Sequence, residues 1–151
     1  MNTAIANIAI VNTGIVFPPV SPPRLTLVYV AGPFRGPDAW AIAQNIRQAE
    51  TIALEIWKAG AVAICPHANT AHYQGVLPDK VWLEGDLEIV RRCDAMMMVP
   101  GWKLSIGARS ELSLADELGK PVFTRLAALQ RFLAYNKTQK ARSQAPCLQY
   151  P

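Results

Sequence analysis

The sequence predicts an α/β domain built on a small parallel sheet. Short runs of β-forming residues alternate along the chain with longer stretches whose apolar residues recur three and four positions apart. Glycine or proline closes most of these segments. Strands joined repeatedly through helices return to one sheet as parallel neighbours, with the helices covering its faces. At 151 residues, 51% of them hydrophobic, the chain can bury a core without disulfide or metal staples.

Residues 1–16 are ambiguous. Residues 17–23 (FPPVSPP) form a Pro-rich spacer that sustains neither a ladder nor a helix. The first strand is expected at 25–31 (LTLVYVA), too apolar for a half-exposed strand and therefore central. Gly32 and Pro33 end it, and Asp38 is placed to cap a helix reaching about Lys58. Ile42, Ile46, Ala49, Ile52, Ala53, Ile56 and Trp57 supply the packed face, and Gly60 the stop. A second strand covers 61–65 (AVAIC), and a long polar loop covers 67–78, the kind of loop that often carries function. A helix from about Asp79 to Arg92 packs through Val81, Trp82, Leu83, Leu87, Ile89 and Val90. A third strand (AMMMV, 95–99) follows, then a loop over 100–106 and a helix over 107–118 with Leu112, Leu114, Ala115 and Leu118 inward. Pro121 opens a fourth strand (PVFT, 121–124), as an edge strand permits. A last helix is expected over 125–135. The chain thus divides into an N-terminal extension and Pro-rich spacer (1–23), a domain (24–135) and a basic tail (136–151) that reads as poorly ordered.

Composition narrows the function classes. No apolar run approaches the ~20 residues of a membrane span, and the mildly apolar N-terminus lacks the basic region of a secretory signal. Cys65, Cys93 and Cys147 have no ligand-like spacing and read as reduced thiols, which points to a cytoplasmic location. The formal net charge is +4, but residues 1–120 carry ten basic and eleven acidic side chains. The excess comes from Arg125, Arg131, Lys137, Lys140 and Arg142, a basic end that reads first as a solvated terminus. Nucleic-acid binding has no other support.

In a parallel α/β sheet, ligands sit beyond the carboxyl ends of the strands. That directs attention to residues 32–38, 65–74 and 100–111. The first of these, AGPFRGPD at 31–38, is neither a GxGxxG turn nor a P-loop. Its small residues still permit close approach to backbone N–H groups, and Arg35 is either an anion contact or a solvent-facing turn residue. In the third loop, Ser105, Gly107 and the following helix N-terminus offer an anion seat, with Glu111 one turn into the helix. Asp86 lies mid-helix in the preceding unit. Two carboxylates from successive units are the minimum equipment for glycosidic chemistry. His67 and His72 fall short of a metal-ligand set. Trp102 and Tyr73 either stack on a ring or cover the core, the three methionines 96–98 read as core filler, and Asp94 as a strand-entry residue.

Four segments, VYVAGPFRG (28–36), WLEGDLEIVRRCDA (82–95), PGW with SIGARSE (100–111) and LADELGKPV (114–122), occur together in an order that resembles the nucleoside 2-deoxyribosyltransferase-like superfamily. Its nearest members here are the 2'-deoxynucleoside 5'-monophosphate N-glycosidases and related uncharacterised phage and bacterial proteins. The resemblance implies a three-layer Rossmann-like (flavodoxin-like) sandwich, usually with five parallel strands, of which four are legible. It implies that Glu111 is the nucleophile and that Asp86 assists the leaving base. The free-nucleoside transferases carry an Asp where this chain has Ser105. An Asp would repel a 5'-phosphate that a hydroxyl and helix amides can bind.

What the resemblance implies is an N-glycosidase cleaving the base from a (deoxy)nucleoside 5'-monophosphate, with no metal or organic cofactor. The alternatives are a nucleoside 2-deoxyribosyltransferase or a non-catalytic nucleotide-binding module. The site is then Glu111 and Asp86 as catalytic residues, with Gly32, Arg35, Gly36, Ser105, Gly107, Trp102 and His67 as substrate-binding residues. A homo-oligomer, dimer or tetramer, is the implied assembly.

Overall fold

The structure, a computed structural model, describes residues 24–143. The expected N-terminal extension and Pro-rich spacer, and the end of the basic tail, lie outside the described residues. The strands are β1 (Leu27–Ala31), β2 (Val62–Ile64), β3 (Ala95–Met98) and β4 (Val122–Phe123). They form one four-stranded sheet in the order β2-β1-β3-β4, and every pairing is parallel. The helices are α1 (Ala39–Lys58), α2 (Pro66–Asn69), α3 (Asp79–Arg92), α4 (Ile106–Glu117) and α5 (Leu126–Ser143), with a 3-10 turn at Trp102–Leu104. The architecture is a three-layer Rossmann-like α/β sandwich.

The period of two along a strand decides which layer each residue meets. Val28, Val30 and Met97 point to one face, where Ala49, Ala53 and Ile56 of α1 and Leu129 and Leu133 of α5 close over them. Tyr29, Ala31, Met96 and Met98 point to the other, against Val90 of α3 and Ala108 and Ala115 of α4. β1 is paired on both edges and covered on both faces. That is why LVYVA is almost wholly apolar and why its residues from Val28 on are buried. β4, entered through Pro121, is an edge strand.

Asp38 caps α1 as expected, its Oδ1 accepting from the Ala41 N–H at 2.8 Å. Asp94 ties the entrance of β3 to that of β1, accepting from the Leu27 N–H at 2.8 Å and from Arg24 at 2.9 Å. Several expectations require correction. Trp57, Val81, Leu83 and Leu118 are about half exposed rather than packed. Against the sheet α1 buries only Ala49, Ala53 and Ile56, a stripe narrower than its apolar pattern. The segment after β2 is not all loop, because Pro66 starts the short helix α2. The last helix does not stop at Tyr135 but runs to Ser143. Among the described residues no helix is long and apolar enough to cross a membrane.

A candidate carboxylate cleft at the switch point of the sheet

The chain leaves β1 for one face of the sheet, through α1, and leaves β3 for the other, through α4. Adjacent strands whose exits diverge leave a crevice at their carboxyl ends. A cleft of about 730 Å³ lies there, and its walls come from the β1–α1 turn, α2, α3 and the β3–α4 connection.

The β1–α1 turn approaches its neighbours closely. A Cβ on Gly32 would lie 2.5 Å from the Cβ of Val99, and one on Gly36 would lie 2.6 Å from the Cβ of Ala41. Neither position has room for a side chain. The turn is also pinned from both sides. Asn45 of α1 donates its amide to the carbonyls of Phe34 and Arg35, at 3.2 and 3.0 Å. His67 of α2 is 6% exposed, and its Nε2 lies 3.1 Å from the Pro33 carbonyl. Burial lowers the His67 pKa, with the backbone contacts opposing. A neutral ring with its proton on Nε2 donates to that carbonyl and leaves Nδ1 as an acceptor, which has no partner among the described residues.

On the far wall, Ser105 is the N-cap of α4. Its Oγ accepts from the Ala108 N–H at 3.2 Å, while the hydroxyl proton remains able to donate. Gly107 follows in the first turn, against Leu83. One turn further, Glu111 is 8% exposed, and its Oε1 accepts a 2.8 Å hydrogen bond from the Tyr29 hydroxyl. Asp86 enters from the middle of α3 and lines the same cleft.

The electrostatics follow from burial. Loss of solvent pushes the Glu111 carboxyl up to about 7; the Tyr29 hydrogen bond opposes this and the Asp86 charge adds to it. Desolvation alone raises Asp86 to about 6. Tyr29 is held well above its ordinary value by burial first, then by the charges of Glu111 and Asp86. Near neutral pH, two carboxyl groups in one crevice therefore exchange protons within the range where enzymes do acid–base chemistry.

Of the residues singled out from the sequence, Gly32, Arg35, Gly36, His67, Asp86, Ser105, Gly107 and Glu111 all line this cleft. Trp102 does not. Its ring packs against the core on the α3/α4 face, with the Lys103 ammonium 5.8 Å from the ring centroid. Among the described residues, His, Cys, Asp and Glu side chains nowhere gather in a group of three able to hold a metal ion. Sequence reading missed Tyr29, Asn45 and Asp79. Strand alternation could have placed Tyr29 on the α4 face. Asp79, which forms an ion pair with Arg35, carries no local signal beyond its helix-starting position.

The fold and the cleft define a Rossmann-like α/β protein, an architecture that many nucleotide-binding proteins share. The chain belongs to the DUF4406 family, described as a domain of unknown function, whose model matches residues 26–124. That span runs from the start of β1 to just past β4 and includes every residue of the cleft wall. Comparison with curated proteins gives no match.

Proposed function

We propose that this protein is an N-glycosidase that releases the base from a (deoxy)nucleoside 5'-monophosphate. The observation that carries the reading is the convergence of Glu111 and Asp86, from α4 and α3, on one cleft in which burial raises both carboxyls. The resemblance of four segments to the nucleoside 2-deoxyribosyltransferase-like superfamily supports the same roles.

In this mechanism the reacting form of the pair is the minor one, with Glu111 ionised and the proton on Asp86, since Glu111 pushed up to about 7 and Asp86 to about 6 favour the reverse arrangement in the empty cleft. Glu111 attacks C1' and the N-glycosidic bond breaks. The electron pair of that bond leaves with the base, which takes a proton from the Asp86 carboxyl. The transition state has oxocarbenium character, and a carboxylate beside it stabilises the developing positive charge. Water then attacks C1', its proton passes to Asp86, and the sugar phosphate is released with Glu111 restored. Tyr29 holds Glu111 in place and favours its ionised form. The 5'-phosphate seats against the Ser105 hydroxyl and the first-turn amides of α4, with Arg35 on the opposite wall.

The test is chromatography of free base after incubation with a panel of nucleoside monophosphates and the matching nucleosides. Glu111→Gln should lower the rate on the best substrate by a factor of at least ~100, the scale on which nucleophile removal acts. Undiminished activity in that variant removes Glu111 from the mechanism. Release of base only when a second base is supplied converts the reading to a transferase.

A further inference from the structure

Among the described residues that line the cleft, Arg35 is the single cationic side chain, beside three acids, Asp79, Asp86 and Glu111. It is not free. It is ion-paired with Asp79, the first residue of α3, and the two side chains are 68% and 57% exposed. This pair differs in kind from the others in the described residues. Lys58–Glu55, Lys80–Glu84, Arg91–Glu88 and Arg92–Glu88 each join neighbours on one helix. Arg24–Asp94 staples the entrances of two strands. Arg35–Asp79 instead joins the β1–α1 turn to α3, with both partners on the cleft wall.

An exposed ion pair of this type contributes little to stability, so it is weakly accounted for as a fold device. It is also easily exchanged. A phosphate presents two charges and a geometry that matches the guanidinium fork, and it outcompetes a single solvated carboxylate for the same Arg.

We infer that Asp79 is a placeholder for an anion: it occupies Arg35 while the cleft is empty, yields it to the phosphate of an incoming ligand, and so sets how strongly the site prefers a phosphorylated ligand over a neutral one. The inference builds on the nucleotide reading above, since it assigns the phosphate to Arg35. It goes beyond that reading by making an acid outside the reacting pair the determinant of phosphate selectivity. With Asp79 in place the anion must compete for its cation. Without it, Arg35 is unneutralised and phosphate affinity rises.

The experiment is calorimetric titration of the full chain with inorganic phosphate and with a deoxynucleoside 5'-monophosphate, at low salt and at 0.5 M salt. The parent, Asp79→Asn, Asp79→Glu and Asp79→Asn/Arg35→Gln proteins are compared. Asp79→Asn should bind both probes about threefold more tightly at low salt, the scale of one exposed charge pair. The gain should shrink at high salt, disappear in the double variant, and be absent in Asp79→Glu, which restores the carboxylate. A general loosening of α3 would instead weaken binding in Asp79→Asn and leave the salt dependence unaltered. Equal or weaker binding by Asp79→Asn at low salt, or no phosphate binding by any of the proteins, overturns the inference. Base release measured on the same preparations separates the two readings. Tighter phosphate binding without base release retains the placeholder and discards the glycosidase. Base release with an unchanged affinity in Asp79→Asn does the reverse.

Discussion

Glu111 shows how a single residue's surroundings create chemistry and cost stability together. Its folded-state pKa is raised from 4.5 to about 7, chiefly by burial. The native state therefore binds more protons than the unfolded chain between those values, and stability falls as pH rises through that window. The full loss is on the order of 3 kcal/mol once pH exceeds 7. Glu111→Gln removes the charge and keeps an acceptor for Tyr29. Urea unfolding should find it more stable than the parent at pH 8 and little different at pH 4. Tyr29→Phe acts in the opposite sense on the carboxylate. Loss of the 2.8 Å hydrogen bond raises the Glu111 pKa further, so more of the group is protonated at neutral pH. Base release should fall about tenfold at pH 7, and the acidic limb of its pH profile should move upward. A limb that stays in place would show that Tyr29 does not tune this carboxyl.

At the scale of elements, two helices begin on side-chain caps that differ in position relative to the cleft. Asp38 caps α1 and Ser105 caps α4, each accepting an N–H three residues on. Replacing either by alanine should cost about 1 kcal/mol of stability. Only Ser105→Ala should also raise KM for a nucleoside monophosphate, because only Ser105 lines the cleft. Equal KM effects from the two substitutions would remove the phosphate role from Ser105. The elements that sequence reading placed incorrectly have identifiable reasons. The Gln, Lys, Ser and Pro content of the tail argues for a last helix ending at Tyr135. Yet Leu126–Ser143 contains neither glycine nor proline, and Lys, Gln, Arg and Ala all favour helix. Pro66 marks a strand stop in the sequence, but proline suits the first turn of a helix equally well.

The whole molecule places the cleft by topology. The order β2-β1-β3-β4 sets β1 beside β3 with their exits on opposite faces, and the cleft opens between them. The close approach of Gly32 to Val99 belongs to this junction. Gly32→Ala should push the ends of β1 and β3 apart and cost about 1–3 kcal/mol by overpacking. Thermal unfolding should register the loss, together with weaker nucleotide binding in the fraction that remains folded. Wild-type stability in Gly32→Ala would mean that the junction yields at no cost.

The apolar spacing of LVYVA and AMMM, the capping Asp38 and the proline before β4 determined the fold class and the central place of β1. These are local patterns, and local sterics and hydrophobic burial read them directly. The candidates Asp86 and Glu111 were legible through residue type and resemblance, because a carboxylate beside a helix-start anion seat is a short-range pattern. Strand order, the convergence of the two acids, the Tyr29 hydroxyl on Glu111 and the reach of Asp79 to Arg35 were decided only by the tertiary structure. The Tyr29–Glu111 and Arg35–Asp79 contacts join residues 82 and 44 positions apart along the chain. No local preference encodes such a meeting; it exists once α3 and α4 have docked on one face of the assembled sheet.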